Sequence, residues 1–260
     1  MKKLIFGLVA LVSMSCDMGA EKTEFSWDFS KIQTYIYSFE QVANVEYTIE
    51  KNGTGTRARM ISKGHLSISI KENNLADFSL TDISTDIIKY NKHGLPRDTV
   101  TRNTPPTVFQ NMKPTSTFDE ESANLLITKI MPLPTHTIGI GDTVNIPLQM
   151  TFRYSGYVLY AKGANVLTFD RMETIDNRTC AVLTGELNLA INEVPQNMKG
   201  SYENTTIGKG TYYFDIENQI YYGADVTISQ VNSMDSSSGY ARSSNEEKYI
   251  IRLLSVGSQD

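Results

Sequence analysis

Large apolar and polar residues alternate along most of this chain. In IQTYIYSFEQV, residues 32–42, Ile32, Tyr35, Tyr37 and Phe39 are among the large ones, and in HLSISIKE Leu66, Ile68 and Ile70 share one side with serines opposite. A period of two over such lengths predicts half-buried antiparallel strands. NVLTFDRMETI and TCAVLTGELNLAI flank Asp176 and Asn177, and GTYYFDIENQIYYGADVTISQV is interrupted at Asp215 to Asn218. Both read as hairpins, because Asp and Asn tolerate tight-turn backbone. EEKYIIRLL supplies a closing strand after a Ser-rich loop expected over Ser233 to Asn245.

TFDEESANLLITKI breaks the alternation. Thr117 is placed to cap, Glu120 follows three residues on, and Ala123, Leu126, Ile127 and Ile130 recur at helical spacing, which predicts one helix near 117–130. A single layer of strands cannot bury its own apolar face, so this helix is expected to cover the sheet. The Pro-rich RNTPPTVFQNMKPTS before it reads as irregular, with a joint near 101–116. The class is therefore mainly β, an antiparallel sheet with one covering helix, with a β-sandwich as the alternative.

The first residues change the picture from a plain domain to an anchored one. Lys2 and Lys3 precede the apolar run Leu4 to Val12, and Ser13 and Ser15 stand just before Cys16. A charged start, an apolar run of about ten residues and a small-residue cleavage site describe a secretory signal; a membrane span needs ~20 apolar residues. The stretch resembles a bacterial lipobox, with Ser13 where leucine or valine is commoner. That resemblance implies a signal peptide over 1–15, acylation of Cys16, a lipidated tether over 16–24 and a single domain over 25–260. Each buried acyl methylene contributes ~0.8 kcal/mol to membrane attachment. It also implies a bacterial envelope location, the outer membrane first, on its periplasmic or surface face.

The chain carries 24 basic and 29 acidic residues, a net charge of −5. Removing residues 1–15 takes away two lysines and no acid, so the mature chain is more acidic still, and with no basic run this argues against nucleic acid or anionic lipid as the main ligand. Once Cys16 is acylated, Cys180 has no partner for a disulfide and reads as a buried thiol. His65, His93 and His136 lack the spacing that brings two imidazoles to one metal, and no nucleophile elbow or S-x-x-K is present. No catalytic residue, metal or cofactor is therefore assigned. GTGT at Gly53 and GIGD at Gly139 lack the strand-turn-helix context and the lysine of phosphate loops, and read as turns. Asp82 and Asp86 miss the pattern of a calcium loop. Asp215 and Glu217 could serve as acid and base in glycoside cleavage, but acids beside Asn218 more often fix a turn. DTV at Asp98 and Asp142 resembles the short Asp-Ser/Thr-apolar acceptor of some envelope O-glycosylation systems, although Asp142 also fits a turn.

Aromatic residues are the remaining signal. The chain has 14 tyrosines, and YSGYVLY, TYYF and IYY offer Tyr154, Tyr157, Tyr160, Tyr213 and Tyr221 as candidates for lining a ligand cleft, although tyrosine is also an ordinary strand former. Trp27 fits either a core contact or a membrane-edge contact.

After the helix, MPLPTHTIGIGDTVNIPLQM and the later YYFDIENQIYY resemble a group of uncharacterised bacterial lipoproteins that share a proline-bounded loop, a G-D-[ST] turn and a late YFD hairpin. The matching residues are Pro132, Pro134, Gly141, Asp142, Thr143, Tyr213, Phe214, Asp215 and Tyr221. Val144 and Ile146 stand where that group usually has an aromatic residue. Such proteins are similar to the lipoprotein-localisation carriers, which implies a curved half-barrel sheet and an apolar concavity. The expected function is non-catalytic binding of a hydrophobic molecule, a glycan or an envelope protein. The alternative is a carbohydrate-active hydrolase whose acids meet only on folding. Sequence leaves the oligomeric state open.

Overall fold

The computed structural model describes residues 22–49, 54–154, 157–193, 200–236 and 239–258. In chain order the strands are β1 (Gln33–Ile49), β2 (Thr54–Ile70), β3 (Ala76–Tyr90), β4 (Pro96–Thr104) and β5 (Thr107–Met112). The helix α1 (Glu121–Ile130) follows, then β6 (Thr143–Tyr154), β7 (Tyr157–Ile175), β8 (Arg178–Glu193), β9 (Ser201–Asp215), β10 (Ile220–Ser236) and β11 (Gly239–Ser258). All belong to one antiparallel sheet in the order β4-β3-β2-β1-β11-β10-β9-β8-β7-β6, with β5 on β3. The sheet is curved and does not close into a barrel. First and last strands are central neighbours, paired from Gln33 with Ser258 to Ile49 with Ala241. No helix among the described residues is long and apolar enough to cross a membrane.

Local chemistry sets the hairpins. Asp176 and Asn177 have φ of 47° and 63°, so both central residues of the β7–β8 turn are left-handed, the geometry that matches strand twist. Gly141, at φ 88°, occupies a conformation that a side chain would strain, in the turn before β6. Its neighbour Asp142 fixes that turn by accepting the Gly139 N–H at 2.9 Å.

Three sequence expectations shift. Ser233 to Asn245 is not a loop: β10 runs to Ser236 and β11 starts at Gly239, because the small polar side chains bond one another across strands. Asn204 Nδ2 donates to Asn232 Oδ1 at 2.5 Å, and Asn232 Nδ2 to Ser243 Oγ at 3.2 Å. The Pro-rich join is mostly strand; only Pro105 and Pro106 separate β4 from β5. Pro96 is tolerated in β4 because that strand lies at a sheet edge. The helix starts at Glu121, four residues late. Thr117 is drawn into a bridge with Lys113, whose N–H donates to the Thr117 carbonyl at 2.9 Å, while Asn124 Oδ1 accepts the Phe118 N–H. Glu120 stands at the cap position without a side-chain cap bond.

One face of the sheet is covered, most fully where the chain enters. The segment 22–32 brings Phe25, Trp27 and Phe29, and the segment 112–142 brings Phe118, Ile127, Met131 and Ile138, into one buried cluster with Tyr37, Leu66, Phe78, Leu167, Phe214 and Ile251 of the strands. The ring centroids of Phe25 and Phe169 lie 5.4 Å apart, those of Trp27 and Tyr221 5.5 Å. Trp27 is thus a core residue, its Nε1 donating to Ser116 Oγ at 2.6 Å. The incoming chain docks at this near end, where Thr23 pairs with Ile138. Toward the far end, at the β3–β4 turn, burial fades and β4 is exposed almost throughout.

Candidate functional site

Asp215 closes β9 and is 1% exposed. Its carboxylate accepts Arg178 Nη1 at 2.7 Å, the N–H groups of Glu217 and Asn218 at 3.1 and 3.0 Å, and Asn218 Nδ2 at 2.8 Å. Burial pushes its pKa up, but the Arg178 and Asn218 donors and the Arg178 charge together hold it below the usual carboxylate value. A carboxylate with every lone pair engaged holds a turn; it has no free oxygen for an acid or base step. Glu217 accepts a hydrogen bond from the Thr179 hydroxyl at 3.2 Å. Beside them a recess of about 260 Å³ opens at the near end, lined in part by Asp28, Lys31, Tyr35, Arg178 and Glu217. The Ser30 hydroxyl and N–H hold Asp28 low. Burial raises the Tyr35 hydroxyl to about 12.

The five candidate tyrosines do not converge. Tyr221 is fully buried in the core, its hydroxyl donating to the Pro132 carbonyl. Tyr213 stands opposite Val182 of β8, which stands opposite Arg171 of β7, while Tyr160 lies eleven residues farther along β7, roughly 35 Å away along the strand. Tyr160 is 46% exposed. Tyr154 and Tyr157 pair at the β6–β7 turn, and their side chains lie outside the described residues. Cys16, the stretch 1–15 expected to be a signal peptide, and Gly53 also lie outside them.

The remaining candidates find local roles. Cys180 is buried, and desolvation pushes its thiol up to about 11. His65 Nδ1 sits 3.4 Å from Asp82, and Asn91 Oδ1 organises the β3–β4 turn by accepting the N–H groups of His93 and Leu95 at 2.9 and 3.0 Å. Asp86 accepts the Thr101 hydroxyl at 2.6 Å. Among the described residues no group of three His, Cys, Asp or Glu is placed to hold a metal.

The apolar face of the sheet, expected to be an open trough, is filled near the point of chain entry by Trp27, Phe29, Phe118 and α1. Beyond α1 it is mixed: Leu148, Ala161, Leu187 and Leu189 form a second buried apolar cluster on β6–β8, while on β9 and β11 the face turns polar. Asn204 and Thr206 are buried, and Glu247 accepts Asn245 Nδ2 at 2.5 Å and the Tyr249 hydroxyl. Lys129, on the helix, has its pKa lowered by burial while the Glu247 charge opposes the shift.

The opposite face carries recesses where the sheet is a single layer. One of about 380 Å³ is lined by Asn44, Glu46, Arg57, Arg59, Tyr90 and Glu246, among others. A second of about 260 Å³ shares Glu46 and Arg57 with it and adds Asn91 and Lys92. A third of about 710 Å³ is lined by Thr48, Asp235, Tyr240 and Arg242. Register explains their continuity: Asn44 lies opposite both Arg59 and Glu246, Glu46 opposite Arg57, Arg57 opposite Tyr90, and Thr48 opposite Arg242. None of these residues was singled out from sequence. Alternation does place Asn44 with Glu46, and Arg57 with Arg59, on the polar side of their own strands, but which strands adjoin is not written in it.

No protein-family model matches the chain, and no curated protein matches it. Among solved structures the chain is similar to a lipovitellin chain, from a study of lipid–protein interactions in that protein. The identity is 11% and the TM-score 0.41, over 90% of this chain and 26% of the lipovitellin chain. A likeness at that level carries no inference about ligand.

Proposed function

We propose that this chain is a lipid-anchored envelope protein that binds a polar partner, a glycan or an envelope protein, without catalysis, through the uncovered far end of its sheet. The observation that carries the reading is the placement of the recesses against the point where the chain enters. Thr23 docks at the near end, beside Ile138, while Glu46, Arg57, Tyr90 and Arg242 line recesses at the far end. A strand as long as β1, with 17 residues, spans roughly 55 Å. With Cys16 acylated and the residues before Thr23 as a short tether, the near end rests by the outer membrane and the far end is presented away from it. An apolar cargo would have to displace Trp27, Phe29 and Phe118, or Leu125, from the apolar face, whereas a polar ligand meets amides, hydroxyls and charged groups already exposed.

The test is photo-crosslinking of the full chain in its own envelope. A photoreactive residue at Thr48 or Lys92 is expected to give adducts with a glycan or protein, and one at Lys71 or His136 none beyond membrane lipid. Adducts confined to the near end would overturn the reading.

A further inference from the structure

We infer that the recess between β1, β2 and the β3–β4 turn is a binding site for an anionic saccharide. The inference rests on the far-end reading above and names the ligand class for it. The recess holds about 380 Å³, within the range of small-molecule sites, and continues into the neighbouring 260 Å³ recess past the Glu46–Arg57 pair. Across the strands its side chains form a grid, with Glu246, Asn44 and Arg59 in one row and Glu46, Arg57 and Tyr90 in the next. Neighbouring strands are about 4.8 Å apart, so each row reaches about 10 Å, the footprint of a short oligosaccharide.

The groups match sugar chemistry. Asn44, Glu46 and Glu246 offer planar acceptors, and the arginines planar donors, for vicinal hydroxyls, while the half-buried Tyr90 offers an aromatic face for the apolar side of a pyranose. Arg57 engages Glu46 Oε1 through Nε at 2.9 Å, which leaves its terminal nitrogens for a ligand. Arg59 and Lys92 form no ion pair among the described residues. Among the described residues three cations thus line these recesses against two carboxylates, on a chain of net charge −5, and the surplus favours a ligand bearing a carboxylate or phosphate. The recess lies on the face of the sheet across β11, β1, β2 and β3 and not along the free edge of β4 or β6, which disfavours a peptide added as an extra strand. The turn that borders it is set in advance by Asn91, and Gly94, at φ 76°, bends it with open space where a side chain would stand.

The test is titration of the full chain, purified from membranes in detergent, with a galacturonate oligosaccharide, a hexose phosphate and a neutral glucose oligosaccharide matched in length to the first. Binding of the uronate or of the phosphate, at least about tenfold tighter than the neutral sugar, is expected, and the stronger of the two names the anion. Arg59→Gln and, separately, Lys92→Gln are expected to weaken it about tenfold with an unchanged melting temperature, since both side chains are exposed. Added salt should weaken it in parallel. Equal affinity for charged and neutral sugars, no binding of any, or indifference to both substitutions would overturn the inference. If the sugars fail while crosslinks still form from Thr48 or Lys92, the far-end reading stands and the saccharide assignment alone falls.

Discussion

The hydroxyl of Tyr212, on β9, donates to the backbone carbonyl of Lys129, in the last turn of α1, at 2.9 Å. The last carbonyls of a helix have no partner within it, and here the sheet supplies one. Asn165 Nδ2 does the same for the Thr128 carbonyl at 3.0 Å, and Tyr221 for that of Pro132, just past the helix. The helix is therefore fixed to the sheet by polar side chains reaching up from the apolar floor. Burial raises the Tyr212 and Tyr221 hydroxyls far above their ordinary value, so both remain donors at any physiological pH.

Tyr212→Phe removes that donor and leaves a buried carbonyl unmet. The expected loss is about 1–2 kcal/mol, read as a lower denaturation midpoint with Trp27 fluorescence as the probe. Gly210 gives a second route to the same latch. A Cβ there would come within 2.3 Å of the Tyr212 hydroxyl, because the ring lies over the glycine. Gly210→Ala is expected to cost about 1–3 kcal/mol by forcing the ring aside, and combining it with Tyr212→Phe should cost less than the sum.

Asp215 makes stability pH-dependent in a defined direction. Its folded pKa lies below the unfolded value of about 3.9. The stabilisation is complete above that value and is lost as pH falls through the folded one. Asp215→Asn should lower stability at neutral pH by about 1–3 kcal/mol, and the gap from the unchanged protein should close in acid. Urea midpoints between pH 7 and pH 2 check both parts. A gap that persists unchanged at pH 2 would contradict the assignment.

Cys180 is a packing residue with its thiol raised to about 11. In the folded protein it should resist a thiol reagent at pH 8, and it should react stoichiometrically once urea unfolds the chain. Rapid labelling of the native protein would count against the buried placement.

Cys16→Ala is expected to leave a folded but unacylated chain, found in the soluble fraction or as unprocessed precursor. Metabolic labelling with a radioactive fatty acid checks it; label retained in that variant would contradict the anchor.

Much of the sheet was legible because its code is local. Tyr35, Tyr37 and Phe39 alternate with smaller or polar residues, and Asp176-Asn177 announces its own turn. The helix was visible in its apolar spacing but not in its start, because the bridge between Lys113 and Thr117 takes the backbone that the cap would have used. The strands over 233–245 were hidden, since Ser and Asn read as loop until neighbouring strands satisfy them. The recess was hidden for a related reason. Arg57 beside Glu46 and Tyr90 is a fact of register between three strands, and single-strand periodicity carries no register. The tyrosines were misleading in the opposite sense: Tyr221 looked like a surface ligand residue and is a core residue holding Pro132.

The central claim is that one end of the sheet is occupied by the chain's own segments and the other is left for a partner. Hydroxyl-radical footprinting of the anchored protein in its native envelope, compared with the purified protein, tests it most directly. The account predicts protection at Tyr90, Arg57 and Tyr240 in the envelope, over and above any cover the membrane gives Ile32 and Ile140 at the near end. Equal reactivity at the far end in both preparations, with protection confined to residues around α1, would contradict it.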